Sequence, residues 1–271
     1  MKSNIKLKTD PNDLKNLRES CRRVAKILNL LGKQLKVGMA TSEINDLAFV
    51  MITESEKGKT DKDVPAFLNY QPFGANYPYP GSICISVNDE IVHGIGGDYI
   101  LKDGDIVSLD CGIKHKGMIS DHALTFPIGN ISEKDEELLL VTQNALKEGI
   151  KAAINGNYVI DISRAIQNFI LKEEKRLKRK FGIVKTLAGH GVGYKVHEAP
   201  YVPNYDDGNK GVKLVKGLVL AIEPMVIDGS NDEVVLDKDG YTFRTRNGKR
   251  AAHFEHTILI TDNQPEILTI C

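Results

Sequence analysis

The chain has 271 residues, 41% of them hydrophobic and 27% charged, and its 36 Lys and Arg balance 36 Asp and Glu. That size and composition support a substantial core, while a formal net charge of zero supplies no field to draw the chain to DNA or to a membrane surface. No apolar run approaches the roughly 20 residues that span a bilayer, the polar start MKSNIKLKTDPND lacks the apolar stretch of a secretory leader, and Cys21, Cys84, Cys111 and Cys271 form no C-x-x-C pair, so a reduced, cytoplasmic setting is expected.

In chain order, Asp10-Pro11 opens a helix, a capping carboxylate followed by proline at the first helical position. Leu14, Leu17, Cys21, Val24, Leu28, Leu31 and Leu35 keep helical spacing until Gly38 stops the run. Ser42 caps a second helix with Ile44, Leu47, Ala48, Met51 and Ile52 on one face. A polar stretch over 57–62 leads into a loop rich in Tyr, Pro, Asn and Gly over 65–81. Short strands are expected over 83–87, 105–113 and 118–128. Ser132 then caps a helix reaching about Ile154, before Gly156, and Asp161 caps a fourth with Ile162, Ala165, Ile166, Phe169 and Ile170 as its stripe. Strands resume over 218–227, 233–236, 242–245 and 254–261. The basic run over 172–180 (KEEKRLKRK) is read as a solvated helix face, with transient contact to ribosomal RNA as the alternative.

The order helix, helix, strands therefore occurs twice, and the strands echo each other. G-D-I-V-S-L-D (104–110) is answered by G-L-V-L-A-I-E (217–223), and Asp121-His122-Ala123-Leu124 by Glu255-His256-Thr257-Ile258. With no long linker between them, halves of about 1–130 and 131–271 are expected to form one pseudo-symmetric domain over 1–271.

Side chains alternate faces along a strand, so small residues, Ser108 and Ala221, stand two positions before Asp110 and Glu223 on the same face and leave room for an ion. By the same alternation His122 and His256 point away from Asp121 and Glu255 and are read as non-ligands. Four carboxylates gathered at one place raise one another's pKa; divalent cations remove the conflict, and oxygen-rich sites suit them. His190 lies between glycines in A-G-H-G-V-G, with His197 seven residues on, and His93 sits in the Gly-rich I-V-H-G-I-G-G. His253 shares a face with Glu255, where it can hydrogen-bond a ligand, and His115, among lysines, is expected in water. No complete Walker G-x-x-x-x-G-K-[ST] is present, since Gly58-Lys59-Thr60 has Thr53 where the first glycine would stand, and no G-x-S-x-G is present, which removes support for nucleotide binding and serine hydrolysis.

The segments C-I-S-V-N-D-E-I-V-H-G-I (84–95), L-K-D-G-D-I-V-S-L-D (101–110), A-G-H-G-V-G-Y-K-V-H-E-A-P (188–200), A-I-E-P-M-V (221–226) and F-E-H-T-I-L-I-T (254–261) together resemble type I methionine aminopeptidases, over about residues 12–270. The resemblance implies an α+β pita-bread fold with a dinuclear metal site between its halves. It also implies removal of the N-terminal initiator methionine from nascent polypeptides, small second residues preferred, by a monomer. It implies Asp110, Asp121, His190, Glu223 and Glu255 as ligands of two divalent ions (Mn, Fe, Co or Zn), Asp121 and Glu255 bridging. Glu223 would shuttle the proton, with His93 and His197 as the active-site histidines. Tyr79, Cys84, Met225 and Tyr241 would fall at the methionine pocket or its rim. The chain departs from the family at Gly112, where Thr is frequent, at Tyr241, where Trp is frequent, and at Val196, where an aromatic is common. The alternatives are an Xaa-Pro peptidase or creatinase of the same fold, and a non-catalytic ribosome- or RNA-binding relative.

Overall fold

The computed structural model describes residues 5–54 and 62–271; the polar stretch over 57–62 lies, except for Lys62, outside them. The first helix, α1 (Pro11–Gln34), begins where the sequence predicts, because Asp10 Oδ1 accepts hydrogen bonds from the Asn12 and Asp13 amides at 2.8 and 3.1 Å. Its stripe of Leu17, Cys21, Val24, Leu28 and Leu31 is buried. The second helix, α2 (Thr41–Thr53), starts before the expected Ser42 cap. The Glu43 carboxylate reaches back to the Ala40 amide at 2.7 Å, and Thr41 Oγ1 donates to Gly97 O at 3.0 Å.

Five strands follow: β1 (Val64–Pro65), β2 (Cys84–Val87), β3 (Glu90–Val92), β4 (Ile106–His115) and β5 (Met118–Pro127). β1 and β2 share one edge of β4 and β5 takes the other, all antiparallel. The helices of this half pack on that sheet around Leu28, Ile44, Ile85 and Leu109.

The second half repeats the plan with α3 (Glu133–Ala152) and α4 (Val159–Leu177). Ser132 caps α3 as expected, its Oγ accepting from the Asp135 amide at 3.2 Å. Asp161 does not cap α4; it sits inside the first turn and its carboxylate accepts from the Tyr158 amide at 2.8 Å. After β6 (Phe181–Ile183) come β7 (Gly189–Gly191), β8 (Glu198–Val202), β9 (Val219–Ile222), β10 (Met225–Asp228), β11 (Val234–Leu236), β12 (Phe243–Thr245), β13 (Ala251–His253), β14 (His256–Leu259) and β15 (Glu266–Ile267). The expected single strand over 218–227 is two. The chain breaks at Glu223-Pro224, since proline has no N–H for a ladder, and β9 joins a sheet of order β15-β14-β9-β7-β8 while β10 joins β13 and β6.

The halves meet along β5 and the segment from β13 to β14. Glu255 N donates to Ala123 O at 2.9 Å. Thr257 Oγ1 donates to Asp121 O at 2.6 Å, and Thr125 Oγ1 to His253 O at 2.8 Å. The seam thus sets Asp121 and Glu255 side by side. Among the described residues no helix is long and apolar enough to cross a membrane.

Candidate metal centre

β4 and β5 carry Asp110 and Asp121 on neighbouring strands, in a register that pairs Asp110 with Ala123 and Gly112 with Asp121. Asp121 lies inside β5. In the other half Ile222 pairs with His256, and continuing that ladder sets Glu223 opposite Glu255. The two carboxylate pairs repeat in sequence, but their ladders differ by two residues in register. β7, beside β9, brings in His190, paired with Ala221.

The side chains of Asp110, Asp121, His190, Glu223 and Glu255 line one cleft. Ligand atoms of Asp121, His190 and Glu255 lie within 4.8 Å of one another. His190 Nε2 is 3.4 Å from Glu223 Oε1 and 3.8 Å from Asp121 Oδ2. His190 Nδ1 is 2.9 Å from Gly191 O. A carbonyl only accepts, so Nδ1 carries the proton and the Nε2 lone pair faces the carboxylates, as a ligating imidazole requires.

Burial, then mutual repulsion, pushes Asp121 and Glu255 well above the usual carboxylate range. Burial likewise raises Asp110 to about 7 and Glu223 to about 8. It lowers His190 to about 3 and His93 and His253 to about 4, which keeps all three neutral. Asp110 Oδ1, Asp121 Oδ1 and Glu255 Oε1 are buried and accept no hydrogen bond from the described residues. Buried anionic oxygens demand compensation, and oxygen-rich donors with one imidazole fit a divalent cation. His253 ends β13, so it shares no strand with Glu255; its Nε2 stands 3.3 Å from Glu223 Oε2, and neither ring nitrogen makes a hydrogen bond among the described residues.

Of the remaining expected residues, His93, His197, Tyr79, Cys84 and Tyr241 line the same cleft. Met225 is not among its lining residues; it is buried in a separate cluster with Ile91, Val92 and Val184. His122 and His256 turn away and stack, ring centroids 4.8 Å apart. His115 is buried rather than solvated, Nδ1 2.7 Å from Asp63 Oδ1. The basic run is only partly a solvated face: Arg176 pairs with Glu173, Lys180 with Glu174, and Arg179 with Glu137 and Asp228.

The family model described as metallopeptidase family M24 matches residues 15–262. The chain belongs to this family. It is 43% identical to methionine aminopeptidase 1 of Bacillus subtilis over 259 residues, covering 96% of this chain and 97% of that one. To the methionine aminopeptidase of Clostridium perfringens it is 42% identical, covering 96% of each. The crystal structure of the methionine aminopeptidase of Thermotoga maritima superposes with a TM-score of 0.88 at 36% identity, covering 98% and 99% of the two chains. The prolidase of Pyrococcus furiosus shares the fold at a TM-score of 0.71 and 20% identity, with 65% of its length covered. The α+β pita-bread architecture expected of an M24 chain is thereby shown.

Sequence reasoning about this M24 member overlooked part of the cleft wall. Phe67, Tyr70 and Pro72 line it beside Val196. They lie in the aromatic loop after β1, whose Ala66 amide donates to Gly112 O at 2.8 Å. Richness in Tyr and Pro over 65–81 was the available signal; which residues face inward depends on the short β1 pairing. Tyr70 Oη lies 2.9 Å from His197 Nδ1.

Proposed function

We propose that this M24 chain hydrolyses the first peptide bond of polypeptides that begin with methionine, acting as one peptidase domain whose two halves close on a dinuclear site. The observation that carries the reading is the meeting of three buried carboxylates, a half-buried fourth and one suitably tautomeric histidine in one cleft. Asp110, Asp121, His190, Glu223 and Glu255 would hold two divalent ions of the Mn, Fe, Co or Zn class. When bound, such ions neutralise the carboxylates and acidify a water molecule.

Glu223 is placed to move the proton. Its two oxygens face His190 and His253, a position from which a carboxylate can take a proton and return it. It would pass that proton to the leaving amine. His197 would donate to the carbonyl oxygen as negative charge develops there. With Tyr70 Oη–H donating to Nδ1, the His197 proton sits on Nε2 for that purpose. His93, neutral and half-buried, would hydrogen-bond the scissile amide.

Phe67, Tyr79, Cys84, Val196 and Tyr241 offer an apolar lining for an unbranched thioether. Tyr79 Oη is turned out of play, donating to Gly94 O at 2.7 Å and so bracing the wall. In this reading the enzyme works as a monomer on newly made chains in the cytoplasm. Ion pairs within the chain engage Arg176, Arg179 and Lys180 of the 172–180 run, while Lys172, Lys175 and Lys178 are exposed and would be the residues to carry a ribosome contact.

The test is release of methionine from a Met-Ala-Ser peptide against an Xaa-Pro peptide in the presence of each of the four metals. Methionine release is expected, and Glu223→Ala or Asp121→Ala abolishes it. Retained turnover in either variant overturns the mechanism, and preference for the Xaa-Pro peptide overturns the substrate assignment.

A further inference from the structure

His197 stands at the cleft mouth on a tight turn, and that turn is held from outside the site. Glu198, the next residue, uses one carboxylate oxygen to accept from the Tyr194 and Lys195 amides at 2.6 and 2.9 Å. Its other oxygen takes the Lys8 ammonium at 2.6 Å. The pair is shielded from water, with side-chain exposures of 1% for Lys8 and 6% for Glu198.

Lys8 is itself fixed. Its amide donates to Gly217 O at 2.7 Å and its ammonium to Lys6 O at 3.1 Å. Its stem crosses Gly193, where an added Cβ would meet Lys8 Cε at 2.6 Å. The ammonium lies 5.1 Å from the Tyr194 ring centroid, and Tyr194 Oη donates to Asp13 at 2.7 Å. A segment nearly two hundred residues away in sequence is thus bolted onto the turn 193–198.

A lysine withdrawn from water loses hydration that the Glu198 carboxylate, Lys6 O and the Tyr194 ring restore only in part. Hydrophobic contact would hold the segment down at lower cost. What the ion pair adds is direction: it fixes the orientation of the Glu198 carboxylate, which closes the turn, and so the backbone that presents Val196 to the apolar wall and His197 to the mouth.

We propose that Lys8 is a positioning residue for His197, acting through Glu198. The inference rests on the Met-releasing reading of the cleft only for its kinetic consequence. The structural consequence, loosening of the His197 ring and of its hydrogen bond to Tyr70, can be read without turnover.

The experiment compares wild type, Lys8→Met, His197→Ala and the double variant. Methionine keeps the stem and removes the charge, and Arg18→Met, which breaks the exposed Arg18–Glu266 pair, serves as control. In Lys8→Met the imidazole ¹⁵N resonances of His197 are expected to move while those of His115 stay. The kcat for the Met-Ala-Ser peptide is expected to fall on the order of tenfold with KM little changed, since misplacement of a group acting only in the transition state acts on kcat. Adding Lys8→Met to His197→Ala should cost nothing more, because residues that act through one another are non-additive.

Unmoved His197 resonances overturn the proposal, as do losses that multiply in the double variant or an equal loss in Arg18→Met. Should wild type release no methionine, the functional reading fails and the resonances alone decide this inference. Should Lys8→Met not fold, Lys8→Met/Glu198→Gln leaves no unpaired buried charge and carries the same expectations.

Discussion

At the scale of single residues, the cleft shows how one glycine and one aromatic side chain share a volume. Gly112 stands opposite Asp121 on β4, and a Cβ there would meet Phe67 Cε1 at 2.7 Å and Ala66 Cβ at 3.0 Å. Phe67 therefore occupies the space that a larger residue at 112 would need, and it lines the cleft in doing so. Gly112→Ala is expected to cost about 1–3 kcal/mol by overpacking and to raise KM severalfold as Phe67 is displaced. Phe67→Leu in the same chain should recover most of both losses. Denaturant unfolding and methionine-release kinetics on the two variants check this, and a KM unchanged in Gly112→Ala would sink it. The departure at Gly112 was visible in the sequence, but its partner was not, because Phe67 reaches it only through the two-residue strand β1. His115 was misread for the same reason: its partner Asp63 lies 52 positions away in sequence, so lysine neighbours dominated the expectation.

At the scale of elements, what could be read locally was read well. The helices follow from capping and 3.6-residue spacing, both of which act within a few positions, and errors there are confined to starts. Asp161 resembles a cap yet works as the reciprocal partner of the Tyr158 amide, which displaces the predicted start of α4. Strands such as β6, β7, β8 and β13 have no legible period in three to five residues, and their existence depends on partners far along the chain. The two-residue register difference between the β4–β5 and β9–β14 ladders is likewise invisible to a comparison of motifs. Since α3 packs behind the sheets rather than lining the cleft, its cap should be separable from activity. Ser132→Ala is expected to lower stability by about 1 kcal/mol, roughly 2–4 °C in Tm for a chain of this size, with methionine release unaffected. Thermal unfolding run alongside the peptide assay measures both, and a loss of turnover at 25 °C would show that α3 does bear on the site.

At the scale of the whole molecule, the folding free energy and the metal centre are linked through protons. In the metal-free protein the native state keeps protons on Asp121, Glu255 and, up to a pKa near 8, on Glu223, whereas the unfolded chain has released all of them above about pH 5. The native state then binds more protons than the unfolded one, so stability falls as pH rises through this range. Below about pH 6.5 the buried histidines act in the opposite direction, because His93, His122, His190 and His253 stay neutral in the native state while their unfolded counterparts take up protons. Above about pH 8.5 the buried thiols Cys21, Cys84 and Cys111, all raised by burial, begin to add to the carboxylate trend. The window from about pH 7 to about pH 8.5 isolates the carboxylates that still hold protons there, Asp121, Glu255 and Glu223. Chelator-treated protein is expected to lose on the order of 10 °C in Tm across it. Saturation with Mn should hold those carboxylates ionised, abolish the slope and raise Tm most at the alkaline end, because binding to the native state alone is stabilising. Thermal unfolding at constant ionic strength, with and without metal, reads both slopes. A chelated Tm that stays level or climbs between pH 7 and 8.5 would mean the four carboxylates are not jointly frustrated in the fold, and the argument that they are built to hold cations would lose its physical basis.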